Sequence, residues 1–596
     1  LEINSPKTKL AGKSLKMLLD VVSVLHKYIE SHYILVNLIL IAVVLTYLYI
    51  LQPFFLSPLK DIPGPYSHRV SYIPYYNSQR KGEWIQVVRE LHMKHGDVVI
   101  LSPTEISVNG DHKYLHDIYS RNFPKTNFYA QFGNHGKPNM FASTSNDIHL
   151  KYKKMLMGNY SKSSVFSKKN STRANLIVKV GNLVDQVYRS SVTGQEPDYI
   201  NAKSEDNIHG KGHGTDGKWF NPANKKTNLG IEVYSLFGSL AMDVVSAFEV
   251  GRENGTDLLK HPEKRHILVD HRSVAGMGFW TSLMPKFWNL AAGESIRKAL
   301  EKIEKWQLGI YGAAEENVPK FNKDQNMTSL ETLKSHGFKG ASAYSFLSDN
   351  IFAGHETTAI QLTYLTYELS RTLNLPLQQA LIEEIVGTFG KPTSRQDVID
   401  DLDVVDKLPY LSALLDENSR VHTSIPGAEP RVVDRKYEVK LDNTTVTIPK
   451  GTQISCQPYS IHRQQDVFPK PDNFIPERWL KYDSESPEEF QERIKRQQNF
   501  MMPFGKGIRM CLGMNVAVIE MKLAIANLYW HFNSRICKDW CDVVEYDDQE
   551  KLPNVIPMGE HYMGKNQSDE EKMVMFDSYT TRPVNDECWL EWYENK

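Results

Sequence analysis

Cys511 lies in the run Phe504-Gly505-Lys506-Gly507-Ile508-Arg509-Met510-Cys511-Leu512-Gly513, a glycine-punctuated loop with a single thiol near its end. Leu512, Val516, Ile519, Leu523 and Ala526 then recur at helical spacing, so the cysteine stands just ahead of a helix N-terminus. Unpaired amide hydrogens and the positive end of the helix dipole favour a thiolate at such a place. A thiolate can ligate iron, and haem iron held through sulfur receives electron density that favours cleavage of an O–O bond. The plainer reading of one free cysteine is a buried, inert side chain.

A second constellation is Ala353-Gly354-His355-Glu356-Thr357-Thr358, inside a helix-period stretch that runs from about Ala341 to Arg371. Ala353 and Gly354 remove side-chain bulk, so a planar cofactor and dioxygen could approach the backbone. Glu356 can carry protons and the Thr357 hydroxyl can accept or donate a hydrogen bond, the relay that dioxygen activation needs while bulk water is kept out. Taken alone, Gly354 also reads as a helix-packing glycine. A third group, Glu417 and Arg420 at i and i+3, shares one helix face. Its ordinary reading is an exposed ion pair worth under about 1 kcal/mol.

The elements that must position these groups sit in a chain of 596 residues, 41% hydrophobic and 24% charged, which is a globular balance. A net charge of −1 gives no basic excess for a nucleic-acid partner. The five cysteines are odd in number and irregular in spacing, which argues against a disulfide framework and for a reducing compartment. Cys537-x-x-x-Cys541 lacks a second Cys/His pair at zinc-finger spacing and reads as structural. Tyr33 to Leu51 carries no charge and is just long enough, at 1.5 Å per residue, for a hydrocarbon core of about 30 Å. Pro53, Pro58 and Ile62-Pro63-Gly64-Pro65 follow as a stiff connector expected to end that helix.

Short alternating segments, such as Val98–Leu101 and Glu105–Val108, are expected to dominate residues 66–125. Helices are expected from about 145 to 420, and strand-like pieces at Tyr437–Pro449. Polar inserts at roughly 194–228 and 542–572 read as solvated loops, the first with the run His209-Gly210-Lys211-Gly212-His213-Gly214. The organisation is an N-terminal segment 1–32, an anchor 33–51, a hinge 52–65 and one catalytic domain 66–596.

Spaced as Phe-x-x-Gly-x-Arg-x-Cys-x-Gly, the cysteine loop resembles the haem-binding signature of the cytochrome P-450 monooxygenases. Glu356-Thr357 is similar to that family's acid–alcohol pair. Glu417, Arg420 and Arg478 of Pro476-Glu477-Arg478-Trp479 are similar to its buried structural triad. The resemblance covers about residues 60–595. It implies a mostly α fold with small β-sheets behind a single transmembrane helix, and a haem b (iron protoporphyrin IX) bound through Cys511 and contacted by Phe504, Gly507 and Gly513. It further implies propionate partners at Arg509, Arg431, His149 and Lys153. Lys153 departs from the arginine often found there and would act only as a point charge.

No dinucleotide fingerprint follows a strand, so electrons are expected from a separate partner; the resemblance implies an NADPH–cytochrome P-450 reductase, with cytochrome b5 as a further donor. Lys153, Lys154 and Lys506 are candidate docking residues. The implied place is the endoplasmic reticulum membrane, single-pass, with the catalytic domain in the cytosol. Lys7, Lys9, Lys13, Lys16 and Lys27 ahead of the span would by charge alone favour the opposite orientation.

The pocket is expected from the Phe123–Phe141 loop, the helix at Phe352–Ala353 and the turn Val421–Ala428. Phe128, Phe132 and Phe141 would supply apolar surface, and His422, Thr423 and Ser424 polar contacts, for a mostly apolar small molecule. The turn Ser424–Ala428 looks like that of fungal specialised-metabolism members. The implied reaction is hydroxylation or epoxidation, with a reductase-independent isomerase or dehydratase as the alternative.

Overall fold

The computed structural model describes residues 17, 19–23, 27, 31–192, 230–317, 327–441, 444–538, 540–545 and 568–595. The insert at 194–228, with its His/Gly run, and most of the insert at 542–572 lie outside the described residues.

Helix α1 covers Tyr33–Thr46 and continues in wider helical turns through Tyr47–Leu56. The Ser57 N–H donates to the Gln52 carbonyl at 2.7 Å, five residues back, and this looser winding accommodates Pro53 inside the helix. The helix therefore runs on to Leu56, past the expected stop at Leu51. The whole stretch Tyr33–Leu56 has mean hydropathy 2.7 and none of its most apolar window is buried, so it meets no core of its own.

Residues 66–95 are helical where short alternating segments were expected. Trp84–His95 form α2, whose Trp84, Val88 and Leu91 pack on the next strand pair. Strands β1 (Val98–Ser102) and β2 (Glu105–Val108) then form an antiparallel hairpin. Asn146–Leu156 is α3, capped by Ser145, and Ser171–Val187 is α4.

Strand β3 (Ile231–Glu232) leads directly into α5 (Val233–Val250), apolar enough to span a bilayer but 94% buried and therefore a core helix. Helices α6 (His266–Ala275) and α7 (Glu294–Glu316) flank it. The central element is α8 (Ala341–Ser370), 30 residues and about 45 Å long. Helix α9 spans Leu375–Phe389 and α10 spans Pro409–Val421, both with proline in the first turn where the missing N–H costs nothing.

Strands β4 (Arg431–Val432) and β7 (Gln453–Ser455) complete a four-stranded sheet in the order β1-β2-β7-β4. Strands β5 (Tyr437–Lys440) and β6 (Thr445–Ile448) pair separately in the expected Tyr437–Pro449 region. Helix α11 (Pro487–Phe500) precedes the cysteine loop, and α12 (Met514–His531) follows it. Strand β8 (Phe532–Ile536), hairpin β9 (Met575–Ser578)–β10 (Thr580–Pro583) and β11 (Trp589–Glu594) close the fold, with sheet order β3-β11-β8. One large apolar cluster joins α4, α5, α8, α9 and α12; a second lies against the four-stranded sheet.

Candidate active site

The cysteine loop is built by two left-handed glycines. Gly505 and Gly507 have φ of 68° and 71°, and a Cβ at Gly507 would sit 2.2 Å from the Tyr119 carbonyl oxygen. Only glycine lets the loop lie so close to the segment before Phe123. The Phe504 carbonyl accepts the Cys511 N–H at 2.8 Å, and the Gly513 carbonyl starts the α12 ladder by accepting from Ala517 at 2.9 Å. Cys511 keeps open surface, yet burial pushes its thiol up, while the Gly513 N–H, the Lys153 ammonium and the Met514 N–H pull it down. Accessible but surrounded by protein, the sulfur lines an internal space.

The middle of α8 opens onto interior space as well. Ala353 is exposed and Gly354 and Thr357 partly so, between turns that are otherwise buried. Thr357 donates its hydroxyl hydrogen to the Ala353 carbonyl at 2.8 Å, and its own carbonyl accepts from the Ser424 hydroxyl at 2.9 Å, so the helix ladder is locally shared with side chains. Gly354 proves to be a helix-packing residue. A Cβ there would fall 2.6 Å from Val245 Cγ2, so its small size seats α8 on α5 and is not for cofactor approach.

Glu356 is buried and points away from Thr357, into α5. Tyr234 donates to its Oε1 at 2.7 Å, and His355 Nε2 lies 3.7 Å from Oε2. Arg272 stands 3.7 Å over the Tyr234 ring and donates to Ser235 Oγ at 3.2 Å.

Three cations gather near the loop. Arg431 is buried, bonded to the Tyr129 hydroxyl at 3.2 Å and paired with Glu429 at 3.2 Å. Arg509 donates to the carbonyls of Ser143 (2.6 Å) and Thr144 (3.1 Å) and to Asn146 Oδ1. Burial, then the charge of Arg431, brings Arg509 down to about 10. Lys125, absent from the sequence reading, is the third. Its ammonium donates to the Phe141 carbonyl at 2.8 Å, and burial followed by Arg431 and Arg509 holds its pKa far below the usual lysine range. A lysine directly after Phe123-Pro124 in an aromatic-rich loop was the available signal.

His149 and Lys153 reach the same loop through its backbone. Lys153 donates to the Ile508 and Met510 carbonyls at 2.9 and 2.7 Å, and the His149 ring lies 3.1 Å from the carbonyls of Met140 and Ile508. Both clamp α3 to the cysteine loop. Burial first, then Arg509, lowers His149 to about 4, while its two carbonyl partners act in the opposite sense.

Glu417, Arg420 and Arg478 come together in the interior. Arg420 makes a two-pronged contact with Glu417 at 2.9 and 2.8 Å; Arg478 adds 3.1 Å, Trp479 Nε1 2.9 Å and the Ile475 N–H 2.8 Å. Arg420 also donates to the His462 carbonyl at 3.0 Å, and the His462 ring accepts the Met502 N–H at 2.9 Å, so the knot reaches the start of the cysteine loop. His462 was not foreseen.

The pocket residues divide. Phe128, Phe132 and Phe141 form one ring cluster, joined by Tyr579 from the β9–β10 turn, 5.2 Å from Phe132. His422, expected as a polar pocket contact, is instead a core residue stacked 4.5 Å from Tyr364 and bonded to Glu368 at 2.8 Å. Ser424 is committed to the Thr357 carbonyl, Thr423 is buried, and the Phe352 ring leans toward His271 and His355. Among the described residues no cluster of metal-ligating side chains stands apart from this site.

These groups fit a haem: an accessible thiol at a helix start, a helix face open at Ala353, and three cations, Lys125 and Arg431 buried and Arg509 half-buried, that repel one another without added anions such as two propionates. A family model for cytochrome P-450 matches residues 218–553, more than half of the chain. The cytochrome P-450 monooxygenase hkm5 of Aspergillus hancockii is 24% identical over 86% of this chain and 92% of its own length; tazI of Aspergillus terreus is 25% identical over 84% and 91%. Cytochrome P-450 3A12 of the dog is 27% identical over 52% of this chain and 60% of its own. Sequence match and site chemistry agree, and this chain belongs to the cytochrome P-450 family as an enzyme of its monooxygenase kind.

Proposed function

We propose that the chain is a membrane-anchored monooxygenase that binds haem b through Cys511 and oxidises a mostly apolar small molecule. The observation that carries this reading is the Cys511 thiol, open to an internal space at the start of α12 although protein surrounds it. When bound, the haem supplies the centre at which dioxygen is reduced and from which oxygen enters a C–H bond or an alkene.

The chain's own residues do the rest. Cys511 holds the metal as thiolate, favoured by the Gly513 and Met514 N–H groups. Lys125, Arg431 and Arg509 are the cations for the propionates, while Phe504, Gly507 and Gly513 shape the loop; His149 and Lys153 brace it from α3. Thr357 places its hydroxyl oxygen on the partly open face of α8, with the hydroxyl hydrogen given to the Ala353 carbonyl. Glu356, held at Oε1 by the Tyr234 hydroxyl, is the acid of the proton-delivering pair. The knot of Glu417, Arg420 and Arg478 keeps the loop backed by rigid structure. The Phe128–Phe132–Phe141–Tyr579 cluster offers apolar surface that excludes water.

Electrons come from a separate NADPH–cytochrome P-450 reductase, with cytochrome b5 as an auxiliary donor. Lys154 is exposed and suits a docking role, whereas Lys153 and Lys506 are occupied with backbone carbonyls. The exposed apolar helix Tyr33–Leu56 anchors one catalytic domain, from residue 66 onward, to the cytosolic side of the endoplasmic reticulum. The fungal relatives fit a role in specialised metabolism.

The test is spectroscopic. The reduced, carbon monoxide-treated full chain should give the strongly red-shifted Soret band of sulfur-ligated haem, and Cys511→Ser should lose it with its circular dichroism unchanged. Folded wild-type protein without that band would overturn the reading. Turnover that needs neither NADPH nor reductase would favour the isomerase or dehydratase alternative.

A further inference from the structure

Glu249 is buried near the end of α5 and takes no part in the chemistry assigned above. Its Oε1 accepts from the Tyr160 hydroxyl and, at 3.1 Å, from the Ser329 hydroxyl; its Oε2 accepts from Asn350 Nδ2 at 3.1 Å. All three donors are neutral, and among the described residues no cation pairs with this carboxyl group. A charge set in the interior without a counter-ion is costly. Buried ionisable groups of this kind gather where position or protonation matters.

Its hydrogen bonds lead to both sides of the site. Tyr160 follows α3 and stands beside the start of α12. Its carbonyl accepts from Asn515 Nδ2 at 2.9 Å, and a Cβ at Gly513 would lie 4.0 Å from both its ring and the Cys511 sulfur. Asn350 is on α8, three residues before Ala353 and seven before Thr357, so it shares their side of the helix. One turn further on, Gly354 is seated against Val245, which precedes Glu249 by one turn of α5. The Glu249–Asn350 bond and the Gly354–Val245 contact are neighbouring fasteners of α8 on α5. Asn515, Tyr160, Glu249 and Asn350 thus connect the helix behind Cys511 with the helix of Thr357.

We propose that Glu249 is a positioning residue for oxygen transfer: through Tyr160 and Asn350 it holds the start of α12, next to Cys511, in register with the turn of α8 that carries Ala353 and Thr357. It touches neither substrate nor haem and acts only through these partners. The inference rests on the monooxygenase reading above.

The charged carboxylate can accept all three hydrogens. The neutral acid must carry a hydrogen of its own, and with two donors already on Oε1 that hydrogen goes to Oε2, where it meets the hydrogens of the Asn350 amide. The bond to α8 is then lost as it stands. Burial pushes the group up to about 7, against the pull of the Tyr160, Asn350 and Ser329 donors, so the change falls within the working range. The other titratable groups within reach of its charge are Asp349 on α8 and Tyr311 on α7.

Two measurements on the haem-loaded full chain test this, each taken from about pH 6 to about pH 8. One is peroxide released per NADPH with reductase present; the other is protection of the α8 amides near Asn350 and Gly354 against hydrogen exchange. Wild type should leak roughly threefold less peroxide at the upper end than at the lower. Glu249→Gln, which mimics the neutral acid, should leak at the low-pH level throughout, while Asp349→Asn should keep the pH step. Tyr160→Phe and Asn350→Ala each break one arm and should each lower protection about fivefold. Their double variant should lose little more than either alone, because both act through Glu249. A Glu249→Gln variant that keeps the step, a wild type or Asp349→Asn without it, or losses that simply add would overturn the inference. The carbon monoxide spectrum is recorded on every sample. With its red-shifted band present, these failures count against Glu249 alone; with the band absent from folded wild type, the monooxygenase reading falls first.

Discussion

Tyr234 gives its hydroxyl hydrogen to Glu356 Oε1 across 2.7 Å, joining the second residue of α5 to the acid of the α8 pair. Both are buried, and Arg272 covers the tyrosine ring at 3.7 Å. The orientation of the acid is therefore set by a helix distant in sequence. Tyr234→Phe should leave the carbon monoxide spectrum intact, raise peroxide released per NADPH and enlarge the solvent isotope effect on turnover. The lost hydrogen bond should cost about 1 kcal/mol in denaturant unfolding.

Lys125→Met should weaken haem retention while preserving the fold, since a buried cation that repels Arg431 and Arg509 is replaced by an apolar chain of similar length. Transfer of haem to a scavenging apoprotein should run roughly tenfold faster, the effect of one lost charge-assisted contact. An unchanged rate would remove Lys125 from the propionate group.

Gly507→Ala combines a disfavoured φ of 71° with a Cβ only 2.2 Å from a backbone oxygen. A loss of about 2–5 kcal/mol is expected, with poor haem incorporation. Gly390→Ala is the control: φ is 76° but nothing lies within 4 Å, so about 1 kcal/mol should be lost in urea titration.

Glu520, buried on α12 with Oε1 unpartnered, is pushed up to about 8 by burial. Between its ordinary value of 4.5 and about 8 the unfolded chain is ionised there and the folded chain is not, so folding stability falls as pH rises through that window. Glu520→Gln should stabilise the protein by ~1–3 kcal/mol at pH 7 and change little below pH 4.5. Melting curves at several pH values check the sign.

Local patterns were legible and long-range partners were not. Two left-handed glycines and a cysteine at a helix start are written in consecutive residues, and so is the Glu417–Arg420 pair. Arg478 followed from the family resemblance. Lys125, Tyr234, His462 and Tyr579 act through neighbours far away in sequence, and no periodicity carries that information. Gly354 shows the same limit in one residue. Its small size was visible, but only the packed Val245 tells which surface needed it. Pro53 misled for a different reason, because a proline ends regular helical turns but is tolerated in wider ones.

Strand β11 pairs with β3 on one side and β8 on the other, so the middle of that sheet is synthesised after both of its edges. Until Trp589–Glu594 leaves the ribosome, the strand that launches Tyr234's helix and the strand that trails Cys511's helix are both orphans. Nascent chains should therefore need chaperone protection of these edges to a late point of translation, and their maturation follows synthesis instead of keeping pace with it.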